Sequence, residues 1–191
     1  MCGIFGAFFL KGDYSRVRKE VVKMIKRIQA RGPDATGLKH YKGQDDLTHH
    51  FIGHQRLSIV DRFDSGDQPF YGQHKETCSV TNGEIYNHME LRKTLKKQHT
   101  YKGSSDSEIV PHLYDEIEDF SAIANSLSGK FATLVFDVKN ERIYVARDHV
   151  GVIPCYLGRG SNGEIYVASE LKAFHDYATS IQILLPGKYN Q

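Results

Sequence analysis

The second half of the chain constrains the fold most. Four apolar, strand-like runs, at residues 131–138, 143–147, 152–157 and 165–169, follow one another across turn residues such as Lys139-Asn140-Glu141 and Ser161-Asn162-Gly163. Parallel neighbours need a crossover connection of a dozen or more residues, and these gaps hold none. The sheet there is expected to be antiparallel. The strands come in sets flanked by helical patterns, which predicts an α+β molecule of packed antiparallel sheets with helices outside.

Upstream, Val17, Val21, Ile25 and Ile28 recur at helical spacing and predict a helix over 13–30, with Asp13 or Ser15 as cap and Gly32-Pro33 as its end. Residues 38–60 read as short strands punctuated by Gly43 and Gly53, and 64–75 as a loop before a strand at 77–81. Asn82-Gly83 is the strongest local hairpin signal. Here Asn87-His88-Met89-Glu90 follows with the form of a capping box, so Asn-Gly is expected to link a strand to a helix over 87–98. A further helix is expected over 109–117, capped by Asp106 or Ser107, with Pro111 in its first turn. A short one follows at 121–127.

Size and charge narrow the function. The 191 residues suit one domain, and a net charge of +2 from 25 basic and 23 acidic residues predicts neither a nucleic-acid groove nor attraction to an anionic membrane. A small-molecule role fits better. Cys2, Cys78 and Cys155 are odd in number and widely spaced, which points to a reducing, cytoplasmic setting and not to a disulfide framework. The apolar run 2–10 lacks the flanks of a signal sequence, and no stretch reaches the length of a membrane span.

Two apparent motifs carry little. Gly158-Arg159-Gly160-Ser161-Asn162-Gly163 has the letters of a dinucleotide fingerprint, yet a strand follows it where the fingerprint needs a helix. It reads as a hairpin loop. His49, His50 and His54 have no second ligand cluster, so no metal is expected.

Cys2 stands directly behind the initiator. Once Met1 is removed, one residue carries a thiol titrating near 8.5 and an amine titrating near 8, a nucleophile and a base together. Arg56, in Gly53-His54-Gln55-Arg56-Leu57-Ser58-Ile59-Val60-Asp61, is a natural fork for a carboxylate if it faces a cleft.

In order, Cys2, Arg31-Gly32-Pro33-Asp34, the Arg56 block, Asn82-Gly83-Glu84-Ile85-Tyr86-Asn87-His88 and Ser105-Asp106-Ser107-Glu108 resemble the glutaminase domain of class II glutamine amidotransferases, in wording like that of glutamine-hydrolysing asparagine synthetases. The likeness continues through Arg147-Asp148-His149-Val150-Gly151-Val152-Ile153-Pro154 and covers nearly the whole chain, 1–191. Lys130 and Cys155 depart from the apolar residues usual there, at positions outside the expected catalytic set.

The resemblance implies the four-layer sandwich of N-terminal-nucleophile hydrolases, two antiparallel sheets between helical layers. It implies that Cys2 attacks the side-chain amide of L-glutamine, that Asn82 and Gly83 form the oxyanion hole, and that Arg56 holds the α-carboxylate. Asp106 and Glu84 would hold the α-ammonium, with backbone near Leu57 and Ile59 lining the pocket. No cofactor is implied in this domain. ATP and Mg belong to a C-terminal synthetase domain that this sequence does not contain, in a full-length enzyme for which a homodimer is compatible. A different ammonia acceptor, or a non-catalytic domain retaining Met1, are the rival readings.

Overall fold

The computed structural model describes residues 1–58 and 64–190. Strand β1 (Gly3–Lys11) runs through the interior of a six-stranded sheet with β2 (Ala35–Lys42), β3 (Thr48–Arg56), β8 (Tyr156–Arg159), β9 (Ile165–Ala168) and β10 (Ser180–Ile183), in the order β10-β8-β9-β1-β3-β2. A second sheet has the order β11-β7-β6-β5-β4, from β4 (Phe70–Tyr71), β5 (Thr77–Ile85), β6 (Gly129–Asp137), β7 (Arg142–Arg147) and β11 (Tyr189–Asn190). Every pairing is antiparallel.

Side chains that alternate along each strand sort into layers. Ile4 and Phe8 of β1 meet Leu134 and Phe136 of β6 between the sheets. Phe5 and Ala7 face the other way, onto Val21, Met24 and Ile25 of α1 (Tyr14–Lys26). Phe131 and Val135 turn outward beneath α3 (Ile109–Ile117) and α4 (Phe120–Ser126), with α2 (His88–Thr94) beside them through Leu91. The result is helix, sheet, sheet, helix, the four-layer α+β arrangement expected from the sequence.

Local structure departs from expectation where long-range pairing overrides it. Asn82-Gly83 is neither a hairpin turn nor the strand-to-helix link, because β6 continues the ladder past it, pairing Asn82 with Ala132 and Gly83 with Phe131 out to Ile85 with Gly129. Gly53 lies inside β3, where a Cβ would stand 2.6 Å from Ile25 Cδ1, so it permits close helix packing and does not punctuate. Helix α1 stops at Lys26, and a 3-10 turn (Gln29–Arg31) completes the apolar stripe with Ile28 buried. Asn87 does not cap α2. Its side chain bridges instead to Ser126 O and Ser128 N, tying the start of α2 to the end of α4. Asp106 and Ser107 lie in a 3-10 turn (Asp106–Glu108) ahead of α3 and do not cap it. The residues 158–163 that imitate a dinucleotide fingerprint lead from β8 into β9, a hairpin as expected.

Candidate active site

The ends of β3 and β5, the residue preceding β1, and the turn at Asp106 open onto one cleft of about 560 Å³, lined by Cys2, Arg56, Leu57, Asn82, Gly83, Glu84 and Asp106 among others. Seven of the eight residues singled out from sequence therefore converge. Ile59 lies outside the described residues.

Cys2 is held from both sides. Arg31 Nε donates to Cys2 O at 2.7 Å while Arg31 Nη1 pairs with Glu170 Oε1 at 3.1 Å, which pins the backbone just ahead of β1. Leu57 N–H points at Cys2 Sγ at 3.4 Å. The Leu57 segment is set in turn by Asp34, whose Oδ2 accepts from Ser58 N at 2.7 Å. Arg31 and Asp34 belong to a block visible in the sequence, but their roles needed the fold. Cys78 and Cys155 are fully buried, and burial pushes both thiols up to about 12. Only Cys2 is a partly exposed thiol.

Asn82 is buried, and its Nδ2 has no hydrogen-bond partner among the described residues. A stranded buried donor carries a desolvation penalty of about 1–3 kcal/mol, so one kept at a cleft wall calls for a reason. Beside it Gly83 has φ +122°, and a Cβ would lie 1.9 Å from Lys130 O. Only glycine fits. The pair thus places a side-chain amide and the Gly83 backbone together on the cleft wall, suited to an oxyanion.

Arg56 is 8% exposed, and its Nη1 pairs with Asp67 Oδ1 at 2.6 Å. It is a wall residue and not a surface arginine. Asp67 was not legible from sequence, since it sits in a loop rich in similar residues. Asp106 Oδ2 accepts from Ile85 N at 2.6 Å, which couples the turn to the end of β5. Glu84 is exposed and lies 3.3 Å from Lys130 Nζ, and both line the cleft. Lys130, expected to stand apart from the site, is a rim cation.

His54 also lines the cleft. Burial pushes its pKa down to about 4, with the Arg56 charge acting in the same direction, so it is neutral near pH 7. At the far rim Asp148 gathers the turn that carries Val152 and Ile153: its carboxylate accepts from the backbone of Val150, Gly151 and Phe131, at 2.7–3.2 Å. Arg147, the last residue of β7, donates to the carbonyls of Gly151 and Ile153 in that turn and of Leu184 just after β10. Among the described residues no group of three or more His, Cys, Asp or Glu could hold a metal ion, and no helix is long and apolar enough to cross a membrane.

Comparison with known proteins agrees with this geometry. The chain is 38% identical over 187 residues to the asparagine synthetase [glutamine-hydrolyzing] of Sandersonia aurantiaca, covering 98% of the chain and 34% of that protein. It is 36% identical over 189 residues to asparagine synthetase B [glutamine-hydrolyzing] of Escherichia coli (strain K12), covering 99% and 32%. The chain thus spans about a third of the length of these relatives. Its fold resembles that of a glutamine phosphoribosylpyrophosphate amidotransferase from B. subtilis, with a TM-score of 0.77 at 23% identity over 98% of the chain and 46% of that protein. Residues 1–184 match the family described as glutamine amidotransferase domain, and the chain, an enzyme domain, belongs to that family.

Proposed function

We propose that this domain hydrolyses L-glutamine to glutamate and ammonia through a γ-glutamyl thioester on Cys2. The observation that carries the reading is the meeting, on one cleft, of a partly exposed thiol with a buried Asn82 amide, its Nδ2 without a partner among the described residues, beside Gly83. Sulfur attacks the side-chain amide carbon. The Cys2 α-amine, freed when Met1 is removed, accepts the thiol proton as the C–S bond forms, then passes it to the nitrogen of the tetrahedral adduct, whose C–N bond breaks to release ammonia. Water, deprotonated by the same amine, then adds to the thioester, the C–S bond breaks, and glutamate departs with the thiol restored.

Negative charge on the carbonyl oxygen appears in both tetrahedral states, and donors from Asn82 and Gly83 already in place meet it without reorganisation. The Arg56 fork suits a carboxylate, and Asp106 with Glu84 suits an ammonium. Those two opposite charges select an amino acid over a simple amide. Backbone at Leu57 would complete the pocket as far as the described residues extend.

The relatives' names, asparagine synthetase [glutamine-hydrolyzing], support ammonia serving asparagine synthesis, and we extend the reading to an ATP-dependent reaction on aspartate in a cytoplasmic enzyme whose synthetase domain would supply the ATP and Mg sites. While Met1 is attached, the Cys2 nitrogen is a peptide amide and cannot act as base, so a chain that retains Met1 is a docking domain without activity.

Intact mass before and after exposure to a glutamine-shaped electrophile tests this. Loss of Met1 and a single adduct on Cys2 are expected. Cys2→Ala should abolish ammonia release while circular dichroism stays unchanged, and undiminished release from that variant would sink the nucleophile assignment.

A further inference from the structure

Residues 95–105 join α2 to the turn that opens on Asp106, and Ser104 and Ser105 reach the cleft wall. This segment has no helix or strand of its own, so side chains from other elements decide where it delivers Asp106. Glu116 on α3 accepts from Lys96 N and Lys97 N at its start. The buried Glu108 carboxylate accepts from Lys102 N and Gly103 N further along. At its end, Arg92 of α2 donates through Nη2 to Ser105 O at 3.0 Å, on the residue immediately before Asp106.

Arg92 is itself placed by a connected set of side chains that do not line the cleft. Its guanidinium carbon lies 3.9 Å from the centre of the Tyr101 ring, and that ring is 4.5 Å from His112. His112 Nδ1 meets His99 Nδ1 at 3.0 Å, and His99 Nε2 reaches Glu116 Oε2 at 3.4 Å. A planar cation stacked on an aromatic face has little freedom to swing, so its outward N–H is aimed.

We propose that Arg92 is a positioning residue for substrate recognition, fixing the Ser105 carbonyl so that the Asp106 carboxylate, tethered on its other side by Ile85 N–H, faces the α-ammonium of the substrate. The inference rests on the reading of Asp106 given above. Arg92 touches no reacting atom, so its loss should weaken binding and spare chemistry.

Arg92→Met keeps an apolar stem against Tyr101 and removes the donor. Its KM for glutamine should rise about tenfold with kcat within roughly twofold of the parent, as expected for losing one charge-assisted hydrogen bond to a recognition wall. Alkylation of Cys2 by a glutamine-shaped diazoketone should slow in parallel, while alkylation by iodoacetamide, which has no ammonium to place, should keep its rate. An unchanged KM overturns the proposal, as does an equal loss of kcat and of both alkylation rates. Arg92→Lys preserves the cation and serves if the methionine variant does not fold. It should show an intermediate KM, and a KM equal to that of the parent would overturn the proposal. Failure of the parent chain, with Met1 removed, to release ammonia would instead strike the glutaminase reading and is seen before any variant is made.

Discussion

At the scale of single residues, the site combines groups held by partners of their own, as Arg56 is by Asp67, with a donor that has none among the described residues. Asn82 Nδ2 is buried with no acceptor among the described residues, and the transition-state oxygen is the partner that the proposed mechanism supplies. Asn82→Ala is expected to lower kcat by roughly 10²–10³ with KM little changed, measured from initial rates of ammonia release. A variant altered in KM alone would place Asn82 outside the oxyanion hole. Lys130 sets a different balance. Its ammonium stands 3.3 Å from Glu84, where, on the proposed reading of Glu84, it would compete with the substrate's own ammonium for that carboxylate. Both groups are well exposed, so the effect is modest: Lys130→Met should lower KM for glutamine by about two- to fivefold, in a titration at low ionic strength. A higher KM in that variant would mean that Lys130 assists binding. Cys2, Arg56 and Asp106 could be picked out from the sequence because their types and order are distinctive. Asp67 and Arg92 could not, because each owes its role to a neighbour outside its own element.

Elements owe their boundaries to tertiary pairing as much as to propensity. Asn-Gly is a turn signal in isolation, yet the nine paired positions of β5 with β6 carry the strand through it and leave Gly83 at φ +122°. The same pairing delivers Asn82 and Gly83, the proposed oxyanion donors, to the cleft wall. A capping box was legible at Asn87, but its amide serves two backbone groups at the end of α4, which offer it a donor and an acceptor together. The turn after β7 depends on Asp148, a buried carboxylate that several backbone N–H groups surround. Asp148→Ala leaves those donors unmet. It should destabilise the fold by about 2–4 kcal/mol and lower Tm by roughly 5–12 °C for a chain of this size, seen by thermal melting. A shift under a degree would show that solvent replaces the carboxylate at no cost.

For the molecule as a whole, buried histidines set the acid limit. Burial pushes His54 and His112 down to about 4, below the 6.5 of an unfolded chain, so the unfolded state binds more protons between those values. Stability is fully present above pH 6.5 and declines as pH falls toward 4, by on the order of 3 kcal/mol for His54 alone. Urea midpoints between pH 7.5 and 4.5 measure this, and His54→Asn should flatten the slope. An unchanged slope would mean that another group controls it. The sequence by itself determined the class of the fold and the kind of chemistry: turns too short for crossovers forced antiparallel sheets, and the order of Cys2, Arg56, Asn82-Gly83 and Asp106 pointed to an amidotransferase. Only the tertiary structure decided which groups share a cleft, that Asn-Gly stays within a strand, and that Arg31, Asp34 and Asp67 brace the site. Periodicity and turn chemistry are local properties that a linear pattern records. Partners 29 residues apart, as Arg31 and Cys2 are, meet only when the sheets close on their core.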